Sequence, residues 1–305
     1  MASDHRTKIL CHVGIRTVVC ALALPLCAGG VPAQQTNDEV VGTTYEISRD
    51  QETSEKGSNE STSSSTDRDT LLERVIEHRA NGMVLEYDLP RDATADDRSR
   101  NWQFPARILL SQRGDLSLLN ADELNARLDK WLKDVKLPRA ACGHWIFTWN
   151  AFKIECDPQS VLATIKAFNL RGPAPQDGAA FADARAAMPS ILKRTASNSN
   201  GSTFVAELKI DPDRVRRDQA QSDVVIGEIT KKPVTLENAL QARAGDTISG
   251  AMTVTLETDD SGNVRRRITL MRLETKRASG DVEDRTVTET VERKPISTAP
   301  DKPTA

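Results

Sequence analysis

Thr247-Ile248-Ser249-Gly250-Ala251-Met252-Thr253-Val254-Thr255-Leu256-Glu257-Thr258 is the stretch that decides the fold. Ile248, Met252, Val254 and Leu256 share one parity, while threonine and serine fill most of the other. That alternation marks a half-buried strand. Two more β-forming runs follow, Val264 to Lys276 and residues 282–293. The turns between the three carry Asp260-Ser261-Gly262-Asn263 and Ser279-Gly280-Asp281, residue types suited to tight turns. The three runs read as an antiparallel β-meander. Its apolar phase slips between Leu270 and Met271, which predicts a bulge or two-sided burial in the middle strand.

Working outward, Phe204, Ala206, Leu208 and Ile210 alternate along a further strand, and Asp211-Pro212 opens a short charged helix. Residues 224–229 read as a strand and 236–243 as a small helix. Residues 203–294 therefore form a β-meander unit, with 295–305 as a disordered tail. Residues 172–202, rich in Ala, Pro, Asp, Asn and Ser, read as a linker.

Residues 70–171 have a different texture. Thr70 and Glu73 match a capping box, and Leu71, Leu72, Val75 and Ile76 cluster on one helical face, with Asn81-Gly82 as the stop. Met83, Leu85, Tyr87 and Leu89 alternate as a strand, and Arg113-Gly114-Asp115 signals a hairpin between two short strands. Asn120 and Glu123 are the expected cap of a helix striped with Leu124, Leu128, Trp131, Leu132 and Val135. A hairpin of residues 145–149 and 152–156 follows, then a helix opened by Asp157-Pro158 that buries Val161, Leu162, Ile165 and Phe168. The expected fold class is α+β: an aromatic-rich unit of short strands and amphipathic helices with one disulfide-clasped hairpin, followed by a mainly antiparallel β-meander unit.

The first residues set the compartment. Arg6, Lys8 and Arg16 precede a short apolar run, and Val31-Pro32-Ala33 offers small residues where a signal peptidase cuts. Residues 1–33 read as a secretory signal peptide cleaved after Ala33, too short in its apolar part for a membrane span. A lipoprotein box at Leu24-Pro25-Leu26-Cys27 is the competing reading, against which stands the bulk of Leu26. Residues 34–69 include a Ser/Thr-rich stretch that reads as a disordered tether. Export to the periplasm or the exterior is the expected fate.

Removing the leader takes three basic groups and one acidic group and leaves a net charge of −5. A mildly acidic chain lacks the basic footprint of nucleic-acid binding. Cys11, Cys20 and Cys27 leave with the leader, so Cys142 and Cys156 remain and face each other across the hairpin. Their spacing is not Cys-x-x-Cys, which favours a structural disulfide over a redox one.

Trp145, Phe147 and Trp149 fall on one side of that hairpin. They suit core packing or, alternatively, a platform for a sugar ring or peptide, with His144 beside it. No metal-ligand spacing, phosphate loop or nucleophile elbow accompanies His144. No catalytic residue, metal or cofactor is assigned on these grounds. The reading is a non-catalytic binding or interaction protein of a bacterial envelope, with a protein, glycan or lipid partner. Two alternatives stand beside it. One is a carrier of an apolar ligand such as lipid, lined by Ile248, Met252, Val254 and Leu256 under the meander. The other is a hydrolase using His144.

Overall fold

The computed structural model describes residues 39–58, 61–147 and 151–296. The expected leader (1–33), Trp149 and the tail from 297 lie outside the described residues. The described residues form fourteen strands: β1 (Thr44–Gly57), β2 (Thr62–Arg79), β3 (Gly82–Asp88), β4 (Ala106–Ser111), β5 (Leu116–Leu118), β6 (Trp145–Phe147), β7 (Ala151–Lys153), β8 (Ala180–Phe181), β9 (Ser190–Ile191), β10 (Lys193–Asn198), β11 (Gly201–Lys209), β12 (Thr247–Thr258), β13 (Val264–Lys276) and β14 (Val282–Pro295). The helices are α1 (Ala95–Arg100), α2 (Ala121–Asp134), α3 (Val161–Phe168), α4 (Pro212–Ile229) and α5 (Leu236–Ala242).

Ten of the strands form one antiparallel sheet, in the order β10-β11-β12-β13-β14-β1-β2-β3-β4-β5. The expected α+β class with two units is therefore corrected to a single large sheet with helices laid upon it. The chain's first long strand pairs with its last, β1 with β14, from Tyr45↔Pro295 to Gly57↔Glu283. This closure joins the expected units edge to edge, a long-range pairing that local patterning does not reveal.

The register divides the sheet into two faces. Phe204, Leu256, Arg267, Val291, Arg49 and Asp69 lie side by side in one row of the inner face. Tyr45, Glu73, Tyr87 and Ala106 make a second inner row. Two apolar clusters cover this face. In the first, Leu124, Leu128 and Leu132 of α2 and Val161, Ile165 and Phe168 of α3 pack on Ile47, Leu71, Val75, Leu85 and Ile108. In the second, Val215 of α4 and Leu192 pack on Phe204, Leu208, Met252 and Leu256. An antiparallel sheet with its helices on one face needs apolar residues on that face only, which explains why threonines alternate with apolar residues along β12.

Further expectations change. Residues 44–57 and 62–79 are long strands, not a tether followed by a helix. Leu71 and Val75 are four apart, a spacing that fits one helical face and one strand face equally well. Here the strand period holds, with Leu71, Glu73 and Val75 inward and Leu72 outward. The Ser/Thr-rich part of β1 is paired on both sides, so its backbone groups are satisfied without apolar side chains. Asn81 and Gly82 belong to the β2–β3 hairpin turn.

Residues 224–229 complete α4, whose N-terminus is capped by the Asp211 carboxylate accepting from the amides of Asp213 and Arg214. The linker region contains β8, β9 and β10. Register runs unbroken through Leu270 and Met271, and the slip of phase reflects half-burial on both faces. Asn120 does not cap α2. Its Oδ1 accepts from the amide of Arg107 at 2.9 Å, tying the helix start to β4.

The sheet has two free edges, and the longer, β10, is defended. Lys193 and Arg194 begin it, the register breaks between Arg194 and Ala196, and the Arg194 amide donates to Asp177 Oδ1 at 2.8 Å. Edge charges and irregular pairing discourage strand addition by another molecule.

Gly82 tests the packing of the hairpin on β4. A Cβ there would meet the Leu110 carbonyl oxygen at 2.1 Å, with φ at +152°. Gly114 also has positive φ, at +86°, but its Cβ would meet nothing within 4 Å. Gly82→Ala should cost more than about 2 kcal/mol and Gly114→Ala about 1 kcal/mol. Urea unfolding of the two variants checks the order.

Candidate functional site

Glu73 is the most informative side chain of the inner face. Strand alternation turns it inward between Leu71 and Val75, and it is 1% exposed. An ionised carboxylate there is costly unless opposite charges and hydrogen bonds meet it. Arg171, three residues after α3, reaches it through Nη2 at 2.7 Å and Nε at 3.2 Å. Arg293 of β14 donates from Nε at 3.0 Å, and the Tyr87 hydroxyl donates at 2.6 Å. Both arginines also hold Glu39, whose carboxylate is 2.6 Å from Arg171 Nη2 and 2.9 Å from Arg293 Nη2. The Arg293 guanidinium lies 3.3 Å over the Tyr45 ring, a cation–π contact that steadies it.

Two carboxylates thus face two guanidiniums, and the cluster ties β1, β2, β3, β14, the end of α3 and the segment before β1 together. Burial alone would raise the Glu73 pKa, but the charges of Arg171 and Arg293 outweigh it and hold it at about 2. Burial and the neighbouring Glu73 charge push Tyr87 well above its ordinary value. Burial pulls Arg171 down, the charge of Glu73 pulls it up more, and the net direction is upward. None of these three trades protons near neutrality. The cluster is built to hold carboxylates.

A second charged group lies along the same face between the apolar clusters. Arg49 binds Glu289 at 2.6 Å, and Arg267 is 3.6 Å from the same carboxylate. Arg267 also donates to the carbonyls of Ala167 and Asn169 at 3.0 and 3.4 Å. A guanidinium at the C-terminal end of α3 meets the carbonyls that the helix leaves unpaired.

The structure disperses the residues singled out from sequence. Cys142 and Cys156 are joined in a disulfide with Cα atoms 5.6 Å apart, at the base of the β6–β7 hairpin. Trp145 is half-buried on β6, and Trp149 lies outside the described residues. His144 is exposed at the hairpin base, its amide donating to the Ala141 carbonyl at 3.1 Å. That is a turn position, not a catalytic cleft, and the hydrolase reading gains no geometry from it. Ile248, Met252, Val254 and Leu256 are buried among Leu208, Ile210 and Leu273, so they form core and do not line a ligand cavity. Among the described residues, no group of three or more His, Cys, Asp or Glu is placed to hold a metal ion.

Arg171, Arg293 and Glu39 are not singled out from sequence, and Glu73 is read there only as part of a helix cap. The available signal was a carboxylate on the apolar parity Leu71-Glu73-Val75, readable only once that stretch is taken as a strand.

No family model matches the chain. No curated protein matches it either. Among solved structures, Ail, the attachment invasion locus protein of Yersinia pestis, aligns over 83% of this chain and 99% of its own, with 5% identity and a TM-score of 0.18. A likeness at that level carries no argument about fold or function here.

The Glu73 shift has a definite sign in pH. The folded-state pKa of about 2 lies below the ordinary 4.5, so the ionised carboxylate stabilises the fold fully above pH 4.5. That contribution, about 3 kcal/mol, should be lost as pH falls from about 4.5 through about 2. Denaturant unfolding across that range should show the loss in the wild-type chain and a flatter profile in Glu73→Gln. At neutral pH the same variant should be destabilised by about 3–5 kcal/mol, because two buried guanidiniums lose a partner.

The disulfide closes a loop with a sequence separation of 14. Replacing both cysteines by serine should cost about 3 kcal/mol in the same assay.

Proposed function

We propose that this chain is an exported, non-catalytic interaction protein of a bacterial envelope, whose contact surface is the outer face of the sheet. The observation that carries the reading is the asymmetry of that sheet. The apolar clusters and helices α2, α3 and α4 occupy the inner face. The outer face presents parallel rows of small polar, charged and isolated apolar side chains. One row runs Thr253, Leu270, Thr288, Glu52 and Thr66, and the next runs Ala251, Arg272, Thr286, Ser54 and Ser64. Glu52, Ser54, Ala251 and Arg272 are exposed there.

A broad rigid sheet suits recognition because its side chains are held in fixed register, and little ordering is needed on binding. The expected leader and the oxidised Cys142–Cys156 pair support export, since structural disulfides persist outside the reducing cytoplasm. No helix among the described residues is long and apolar enough to cross a membrane.

The test uses the full chain expressed with its leader in a Gram-negative host. Intact-mass analysis of the periplasmic fraction should give a product beginning at Gln34 with the disulfide formed. A photo-crosslinking residue in place of Arg272, on the outer face, should give discrete adducts with an envelope component. The same residue in place of Arg100, on α1, should not. Retention of the uncleaved chain in the cytoplasm would refute the export reading. Equal or absent adducts from the two positions would refute the outer-face reading.

A further inference from the structure

We propose that the Arg171–Arg293 pair is a carboxylate receptor, filled in the resting protein by the chain's own Glu39. The two carboxylates of the cluster are not equivalent. Glu73 is fixed within β2 and is 1% exposed. Glu39 stands before β1, and its side chain is 20% exposed. The residues that follow it, Val40 and Val41, are 72% and 52% exposed. Beyond its two arginines, Glu39 is held by a 2.6 Å contact between its carbonyl and His78 Nε2. The next turn is closed by the Thr43 amide donating to the Val40 carbonyl at 3.1 Å. One acid is part of the sheet, and the other stands before it, on a segment tied to β2 by the Gly42 amide donating to the Val75 carbonyl at 2.8 Å.

The guanidiniums behave as a preformed site. Their side chains are 8% and 9% exposed, so each is committed to the interior. Arg293 Nη2 contacts both oxygens of Glu39, at 2.9 and 3.2 Å, and Arg171 Nη2 contacts one at 2.6 Å. Glu73 below and Tyr45 beneath Arg293 hold the forks in place without Glu39. With Glu39 removed, two buried guanidiniums would face the single carboxylate of Glu73. The leftover charge makes the vacancy a strong attractor for an anion of carboxylate shape. The ligand class is therefore a carboxylate, either a small free acid or an acidic side chain of a partner peptide.

The experiment is chemical rescue of Glu39→Ala in the full chain. Thermal midpoints at neutral pH are compared in sodium acetate and in sodium chloride of equal ionic strength. N-acetylglutamate α-amide serves as the probe for a peptide side chain. Glu39→Ala should melt below wild type and regain a saturable rise of roughly 2–4 °C in acetate beyond that in chloride. A larger response to the amide than to acetate would assign the site to acidic peptides, and the reverse order to small acids. Wild type should show no acetate-specific rise, and Glu39→Ala with Arg171→Gln should lose it. Equal responses of Glu39→Ala to acetate and chloride would overturn the proposal, as would a midpoint matching wild type. Should Glu39→Ala not fold in chloride, the same comparison is read as refolding yield, and an equal yield in acetate and chloride would likewise overturn it. These outcomes do not depend on whether the outer face of the sheet binds a partner.

Discussion

An ionised carboxylate held at the inner face of the sheet is the constraint on which the rest of this structure depends. Glu73 sits where its neighbours Leu71 and Val75 are fully buried, and it stays charged because Arg171, Arg293 and Tyr87 converge on it. The charges of Arg171 and Arg293 outweigh the cost of its desolvation, so the ionised group stabilises the fold above pH 4.5. It also acts on specificity. A one-residue slip of β2 against β1 would carry Glu73 to the outer face and leave two guanidiniums buried without it. The native register is thus favoured by the penalty on its alternatives. The same contacts fix the place where α3 ends, because Arg171 must return to the sheet three residues later.

The inner face changes character across the strands. Leu208 and Met252 are buried at one end of a row that continues through Met271 and Val287 to Thr53 and Ser65 at the other. The neighbouring row passes from Phe204 and Leu256 to Arg49 and Asp69. Charged residues accordingly occupy the ground between the two apolar clusters, where Arg267 meets the end of α3 and Arg49 meets Glu289. A chain that pairs its first long strand with its last gains one continuous sheet from two cores. The seam is held by the backbone pairing of β1 with β14, by the Arg49–Glu289 ion pair and by the buried Ile47 and Val291.

Some of this was legible in the residues. Alternation over Phe204 to Ile210 and over Ile248 to Leu256 describes β11 and β12 well, because one face of each is apolar and the other is not. The stripe of Leu124, Leu128 and Leu132 describes α2, and Asp157 accepts from the Gln159 amide at the turn before α3. The β1–β2 hairpin was hidden for two physical reasons. Central strands take their stability partly from backbone pairing on both sides, which side-chain composition does not report. The spacing of Leu71 and Val75 also satisfies a helix. Once residues 70–79 are taken as helical, Glu73 becomes a cap and the buried cluster disappears from view. Arg171, Arg293 and Glu39 then have nothing to converge on, so the site could not be assembled from local pattern. His144 and Trp145 drew attention because they are rare residue types beside a cysteine, a cue that carries no information about convergence in space.

The central claim is that Glu73 and Arg171 are energetically one unit. The most direct measurement is a double-mutant cycle on unfolding free energy at neutral pH, with Glu73→Gln, Arg171→Met and the pair. A coupled unit predicts that the double variant is more stable than the sum of the single losses allows, with a coupling energy of about 2–3 kcal/mol. Additivity to within about 0.5 kcal/mol would contradict the account and reduce the cluster to incidental proximity.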